Sequence, residues 1–434
     1  MEELFNRACN KFDQAETFHI QHWNQSVHFE ANRVKQMDSR ESSGVALRIV
    51  NGGKVGFAAT TNLQKADSLI DDALEVLPFG PDGQFKFPSV QNFASVDVYD
   101  PTVESFPLEA MIDLGQKLIE RVRSYNSEVL CDAVVTKSVG TVTIRNSSYG
   151  QATYTKSGFS VFVEGTLIKD TDMLFVGDGR SSCVPVTDTE EIAASVQRQL
   201  EWSTKIVPAP VGEVPVIFTP RGVAGVLLSP LMSGFSGKAV LQQSSPLTGK
   251  LGAQLLDKSI NIWDDPTIPY APGSRMCDDE GVPTRRLRLV ENGVIGNFLY
   301  DLQTASQAGV ESTGSAHRGL NTWPTPGANL IVVEPGNISF LDMIADIKDG
   351  LVVERLLGAG QSNILGGDFK ANLLLGYRVQ NGEVVGRVKD TLISGNVYSV
   401  LRDIQELENE SHWVGGGLKT PAVYCGKISV ATKG

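Results

Sequence analysis

The sequence predicts an α+β protein. An N-terminal αβ region of two helix–strands–helix units precedes a C-terminal β-rich, strongly curved or barrel-like antiparallel domain. Three observations carry this expectation. Apolar residues recur at helical spacing in only a few stretches, whereas period-two alternation fills most of the rest. Asn51-Gly52, Asn292-Gly293 and Asn381-Gly382 each join two alternating runs, and Asn-Gly supplies the positive φ angles of a tight hairpin turn. Glycine, at 43 of 434 residues, exceeds the usual ~7% and favours turns over long helical bundles. At about 150 residues per domain, the chain divides into 1–77, a linker over 78–106, a second αβ unit over 107–210, and 211–434.

The opening helix is read over Glu2–Glu16. Strands Thr17–Trp23 and Ser26–Met37 flank Asn24-Gln25, and Val45–Val50 and Val55–Thr60 flank Asn51-Gly52-Gly53. From Asn62, an N-cap residue, Leu63, Ala66, Leu69, Ile70, Ala73, Leu74 and Leu77 share one helical face until Pro78. Pro81-Asp82-Gly83 and Pro101 mark a linker that wraps over the surface. The second unit has a helix marked by Leu108, Met111, Ile112, Leu118, Ile119 and Val122. β-Like runs follow at Glu128–Lys137, Thr141–Ile144, Gln151–Thr155, Ser160–Leu167 and Met173–Val176. Thr187-x-x-Glu190 reads as a capping box opening a helix through Trp202. The order helix, strands, helix thus occurs twice, and Ser43-Gly44-Val45 and Ser157-Gly158-Phe159 stand at comparable places, as a repeat would have them. Beyond Pro208-Ala209-Pro210, Arg221–Met232 and Leu341–Asp346 are helical. Arg285–Val290 with Val294–Asp301, and Asn372–Val379 with Val384–Val388, are hairpins whose edges call for closure or curvature.

Charge narrows the function. With 38 Lys plus Arg against 50 Asp plus Glu, the net charge is −12, which repels phosphate backbones and argues against direct nucleic-acid binding. The start Met1-Glu2-Glu3-Leu4 lacks the basic character of a signal leader, and no apolar run approaches membrane-spanning length. A soluble cytoplasmic protein, with no membrane partner, is expected. Cys9, Cys131, Cys183, Cys277 and Cys425 are odd in number and have no C-x-x-C spacing, which fits neither a disulfide framework nor a four-cysteine zinc module.

The candidate sites are sparse. Of five histidines, His19 and His22 point to opposite strand faces, and His22 and His28 face each other across the Asn24-Gln25 turn, with Glu30 the one further ligand nearby. A solvated polar face is the favoured reading there. Gly234-Phe235-Ser236-Gly237 has its second glycine one place too early for a nucleophile elbow and reads as a flexible turn. Asp278-Asp279-Glu280-Gly281 lacks the alternating spacing of a calcium loop, so its carboxylates are expected to cap amides or meet Arg285 and Arg286. Gly358-Ala359-Gly360 and Gly415-Gly416-Gly417 read as positive-φ turns. His317-Arg318, followed by Pro324–Leu330, belongs to the kind of loop that lines a cleft, where Arg318 binds a carboxylate or forms a surface ion pair.

Read in order, several of these segments resemble the TldD/PmbA family, the TldD/TldE proteins also called modulators of DNA gyrase. They are Gly44-Val45-Ala46-Leu47-Arg48 with Gly56-Phe57-Ala58, then Asp278 through Arg286, and Glu291-Asn292-Gly293. Pro324–Leu330, Gly367-Asp368-Phe369, Asn381-Gly382 and Ile393-Ser394-Gly395-Asn396 continue the series along nearly the whole chain. The resemblance implies cytoplasmic metalloprotease machinery of two related subunits that trims or degrades peptides. In the catalytic TldD type a helix carries H-E-x-x-x-H, whose histidines bind zinc while the glutamate acts as base.

The matching segment here is Gly225–Gly234, in which Ser229, Pro230 and Gly234 stand at the His, Glu and His places. A hydroxyl is a poor zinc ligand, proline has no acid/base group, and glycine has no side chain. Cys425 matches a family zinc cysteine as a remnant ligand, and one thiolate cannot hold zinc. The resemblance therefore implies the TldE/PmbA type, with no catalytic or metal residue of its own and no activity alone. It binds no cofactor itself, and zinc belongs to a TldD-type partner. The partner is that zinc-bearing homologue in a heterodimer, or a second copy in a homodimer. Two alternatives stand beside it: a stand-alone hydrolase using Asp278, Asp279 and Glu280 with His317, and a non-catalytic peptide-binding or regulatory scaffold.

Overall fold

The computed structural model describes residues 2–359 and 362–432. Strand exceeds helix, 41% against 24%, and a closed five-strand barrel forms in the C-terminal region, so the α+β reading with a barrel-like second half stands.

The N-terminal sheet has six strands: β1 Gln14–Glu30, β2 Arg33–Asn51, β3 Lys54–Thr60, β4 Leu130–Asn146, β5 Gln151–Lys169 and β6 Asp172–Ser182. Their order is β3-β2-β1-β4-β5-β6. The two sequence units therefore meet along β1 and β4, paired from Glu16↔Asn146 to Phe29↔Ala133, and build one sheet. Helices Glu2–Lys11 and Leu69–Val76 share a core with Val45, Leu47 and Ile49 of β2. Helices Leu108–Tyr125 and Glu190–Trp202 belong to a larger core with Val27, Phe29, Val135, Val161 and Val163.

Several boundaries differ from the sequence expectations, and pairing explains most of them. The first helix stops at Lys11, and Glu16 lies inside β1. No turn forms at Asn24-Gln25, because both residues are paired on either side, Asn24 with Arg40 and Ser138. The chain reverses instead at Ala31-Asn32, both at positive φ. His22 and His28 consequently share one strand rather than facing across a turn, and His28 meets Asp38 at 3.4 Å. The short runs at 128–137 and 141–144 fuse into β4, and those at 151–155 and 160–167 into β5, since two flanking strands satisfy the polar middle stretches. Met173–Val176 lengthens to β6. The helix near Thr187 opens at Glu190, whose amide donates to Asp188 Oδ1 (2.9 Å), so Thr187 forms no capping box. Asn62 does cap its helix, accepting from the Gln64 amide at 3.1 Å.

In the C-terminal half the barrel runs Asp349–Leu357, Gly212–Phe218, Val423–Thr432, Thr391–Asn396 and Asp368–Gln380, closed by pairing the first with the last. It is not purely antiparallel, because Gly212–Phe218 and Asp349–Leu357 run parallel. Alternation sorts its side chains: Val216, Phe218, Val353 and Cys425 join one core, whereas Ile217, Val352, Tyr377 and Tyr424 join the core shared with the N-terminal helices. The Glu291-Asn292-Gly293 hairpin forms, but its second strand is only Val294–Ile295. Asp301 instead caps helix Leu302–Ala308 through a reciprocal bond pair with Thr304. The Asn381-Gly382 hairpin joins Asp368–Gln380 to Glu383–Arg387.

Candidate functional site

The segment that holds Ser229, Pro230 and Gly234 starts at Pro220, capped by Thr219, widens into a π turn over Val223–Leu228, and returns to α geometry over Ser229–Gly234. Pro230 accounts for the widening. It has no N–H for an i−4 bond and its ring crowds the preceding carbonyls, which a locally wider turn accommodates. Ser229 is exposed, Pro230 and Gly234 are buried, and Phe235 and Ser236 lead directly into helix Gly237–Leu241. Gly234-Phe235-Ser236-Gly237 does turn the chain between two helices, as expected, but it is packed rather than open, with Phe235 fully buried.

A zinc ion does not fit these residues. A Cβ at Gly234 would stand 2.2 Å from Tyr398 Oη, so the space a ligand side chain needs is filled by the phenol. Cys425 lies in the barrel core, its thiol pushed up by burial, while Ser229 faces solvent. Among the described residues, no three His, Cys, Asp or Glu side chains converge as a metal site requires. All five cysteines are free thiols.

The Asp278-Asp279-Glu280 loop has a different role. Asp278 Oδ1 accepts from the amides of Glu280 (2.9 Å) and Val282 (3.0 Å), and Oδ2 from that of Ala316 (3.0 Å). Asp279 accepts from Arg275 Nη1 (3.0 Å) and the Arg318 amide (2.9 Å). Glu280 Oε1 accepts from Arg48 Nη1 at 2.6 Å and Oε2 from the Leu302 amide at 2.7 Å. The loop does cap amides as expected, but its arginines are Arg275 and Arg48 rather than Arg285 and Arg286. Arg286 instead meets Asp265 and Glu334.

Arg318 is not at the surface either. Its Nη1 donates to Glu16 Oε1 at 2.7 Å with both side chains wholly buried, and Glu16 Oε2 accepts from Arg48 Nη2 at 3.0 Å. Phe85 and Phe87 from the linker cover the Arg48 guanidinium at 5.0 and 4.9 Å, and Phe18 covers Arg318 at 4.0 Å. A continuous charged chain, Arg318–Glu16–Arg48–Glu280, thereby bolts the N-terminal sheet to the C-terminal domain. Burial pushes the Glu280 and Asp278 carboxyls up, opposed by Arg48 for the first and by Arg275 for the second. His317 sits beside this loop with Nε2 3.3 Å from Arg275 Nη2. Burial, then the Arg275 charge, lower its ring to about 4, so it is neutral near pH 7.

The most open feature escaped the sequence reading. Two adjoining cavities of about 740 and 500 Å3 share Gly179, Arg180, Arg221, Glu354 and Val414, beside the start of the helical segment that begins at Pro220. Glu354 is 3% exposed, and its Oε2 has no hydrogen-bond partner; the nearest cation, Arg198 Nη2, is 4.0 Å away. Burial pushes its carboxyl up, opposed by the charges of Arg198 and Arg221 and by a hydrogen bond from the Thr219 hydroxyl. The available signal was a charged residue within Leu351-Val352-Val353-Glu354, on the strand face that Val352 buries. Gly415 takes the positive φ expected of its turn, as does Gly358, while Gly360 lies outside the described residues.

Comparison with known proteins accords with this architecture. Residues 211–432 match the family described as "PmbA/TldA metallopeptidase C-terminal domain", and residues 15–77 match "PmbA/TldA metallopeptidase domain 1". The chain is 26% identical to an uncharacterized protein of Methanocaldococcus jannaschii over 99% of both chains. It is 26% identical to a protein named metalloprotease from Methanothermobacter thermautotrophicus, over 93% of this chain and 88% of that one. The metalloprotease PmbA of Escherichia coli O157:H7 is 32% identical over 46% of this chain and 41% of its own. The fold is that of the solved TldE of Thermococcus kodakarensis, with a TM-score of 0.91, 24% identity and 99% of each chain covered. A Thermotoga maritima structure titled a putative modulator of a DNA gyrase gives 0.90, also at 24% identity and 99% of each chain.

Proposed function

The chain belongs to the PmbA/TldD family of metallopeptidases, and from that premise we propose that it is a TldE/PmbA-like subunit without a zinc centre of its own. It assembles with a zinc-bearing TldD-type homologue, in the cytoplasm, and shapes the space in which peptides are trimmed or degraded. The observation that carries this reading is the Gly234–Tyr398 contact: the second histidine place holds no side chain, and a phenol occupies the room. No step of hydrolysis is assigned to this chain; its residues confine and position peptide. Metal analysis of the purified chain, with a peptidase assay in the presence and absence of chelator, tests the first half. Stoichiometric zinc and chelator-sensitive cleavage by the chain alone would sink it. Affinity capture from the native cell tests the second, with recovery of a chain carrying H-E-x-x-x-H as the expected result and a homodimer as the competing one.

The stand-alone hydrolase reading needs a free carboxylate beside His317. Every carboxylate oxygen of Asp278, Asp279 and Glu280 already accepts a hydrogen bond, and His317 faces an arginine. That geometry supports a structural brace.

A further inference from the structure

The larger cavity is acidic and has one buried acceptor left open. Its lining holds five carboxylates against three guanidiniums and the imidazole of His412, and the fifth carboxylate, Glu410, is exposed. Asp178 is engaged by Arg221, Glu191 by Arg180 at 3.4 Å, and Glu408 by His412 at 3.3 Å and the Ala422 amide at 3.0 Å. Glu354 Oε2 has only the longest of these ion pairs, 4.0 Å to Arg198 Nη2, and accepts no hydrogen bond among the described residues, although a buried carboxylate oxygen without a hydrogen bond is costly. Arg198 does not close the gap. Its guanidinium lies over the Trp202 and Phe340 rings, 5.5 and 5.9 Å from their centroids, and those rings stack at 15°. An unsatisfied anion beside an aromatic wall matches the two ends of a long basic side chain, whose cation needs an acceptor and whose methylene stem needs apolar cover. The volume, about 740 Å3, is that of a ligand pocket, and Glu354 also faces the adjoining cavity, so a chain passing along both would cross it.

We propose that this cleft is a subsite for a lysine or arginine side chain of an extended peptide, with the Glu354 carboxylate accepting from its cation. The inference rests on the peptide-handling reading above and adds a residue preference to it. The test uses the purified full-length chain and pentapeptides with blocked termini, Ala-Ala-Lys-Ala-Ala and its Nε-acetyl-lysine and norleucine counterparts, followed by the fluorescence of Trp202 and Trp413 or by calorimetry. The lysine peptide should bind at least tenfold more tightly than either neutral one, and Glu354→Gln should bring all three within twofold. Equal binding of the three peptides to the wild-type chain overturns the proposal, whatever the variant does, and so does a folded Glu354→Gln that keeps the lysine preference. Should that variant fail to fold, Leu341→Arg, at an exposed position on the cleft lining, offers a competing cation and should reduce the preference at least threefold; an unchanged preference overturns the proposal. Capture of a zinc-bearing homologue is read separately, so loss of the subsite leaves the assembly reading standing and loss of the partner leaves the peptide result interpretable.

Discussion

Glu280 and Glu354 are both buried glutamates, one in the loop that Arg48 ties to the N-terminal sheet and one at the wall of the acidic cleft. Glu280 has an arginine at 2.6 Å and a backbone amide at 2.7 Å. Glu354 has its nearest cation at 4.0 Å and an oxygen with no donor. Burial disfavours the charged form of both, and what differs is the company. A carboxylate with both oxygens matched, as in Glu280, fixes two elements in register even though Arg48 Nε, Arg318 Nε and Arg318 Nη2 of the same charged chain have no acceptor, whereas a carboxylate oxygen with no donor leaves free energy that a ligand can recover. The first arrangement is therefore a brace and the second an invitation to bind.

The largest test of this contrast is Arg48→Met, which strips the shared cation from Glu16 and Glu280 and leaves buried carboxylates facing one another. Urea unfolding should show a loss of about 3–5 kcal/mol; a loss under about 1 kcal/mol would mean that the charged chain braces nothing. Next, Gly234→His forces a side chain into the space of Tyr398 Oη and should cost about 1–3 kcal/mol. Adding Tyr398→Leu should restore most of that, and elemental analysis of either variant should find no zinc. Failure of the second change to relieve the first would separate Gly234 from Tyr398.

The brace also has a pH signature. Below its usual value of 6.5 the His317 ring takes a proton in the unfolded chain that the folded protein, with the ring lowered to about 4, refuses. The unfolded state then binds more protons, so stability falls as pH drops from 6.5 towards 4 and levels off below. The raised Asp278 and Glu280 carboxyls act in the opposite direction, since the folded state holds their protons more firmly. They are common to wild type and His317→Gln, so the difference between the two proteins isolates the histidine, at about 3 kcal/mol between pH 7 and 4. Parallel stability–pH curves would remove His317 from the brace. The smallest effect belongs to the cleft: Glu354→Gln should change stability by less than about 1 kcal/mol or raise it, because no hydrogen bond to Oε2 is lost. A loss as large as that of Arg48→Met would make Glu354 structural and erase the contrast.

The sequence carried the repeating strand texture because alternation and Asn-Gly turns are local. It placed the hairpins at Asn51, Asn292 and Asn381 correctly, and the Asn62 cap, although that cap opens a 3-10 segment over Leu63–Ser68 and the α-helix itself spans only Leu69–Val76, with Leu63 and Leu74 exposed. It failed at Asn24-Gln25 because a polar pair inside a long ladder looks locally like a turn until strands on both sides satisfy its backbone. At Asp278–Glu280 it found the residues and their amide-capping chemistry but not their arginines. Arg48 lies 232 positions from Glu280, and Arg318 lies 302 from Glu16, a separation that no spacing rule spans.

The identities of Ser229, Pro230 and Gly234 are fixed by the sequence itself, and so is the chemistry that a hydroxyl, a proline ring and a glycine cannot supply. Which buried carboxylate is matched and which is left open was decided only in three dimensions. Coulomb attraction and desolvation both depend on where the chain, folded into sheet and barrel, brings Arg48 and withholds Arg198.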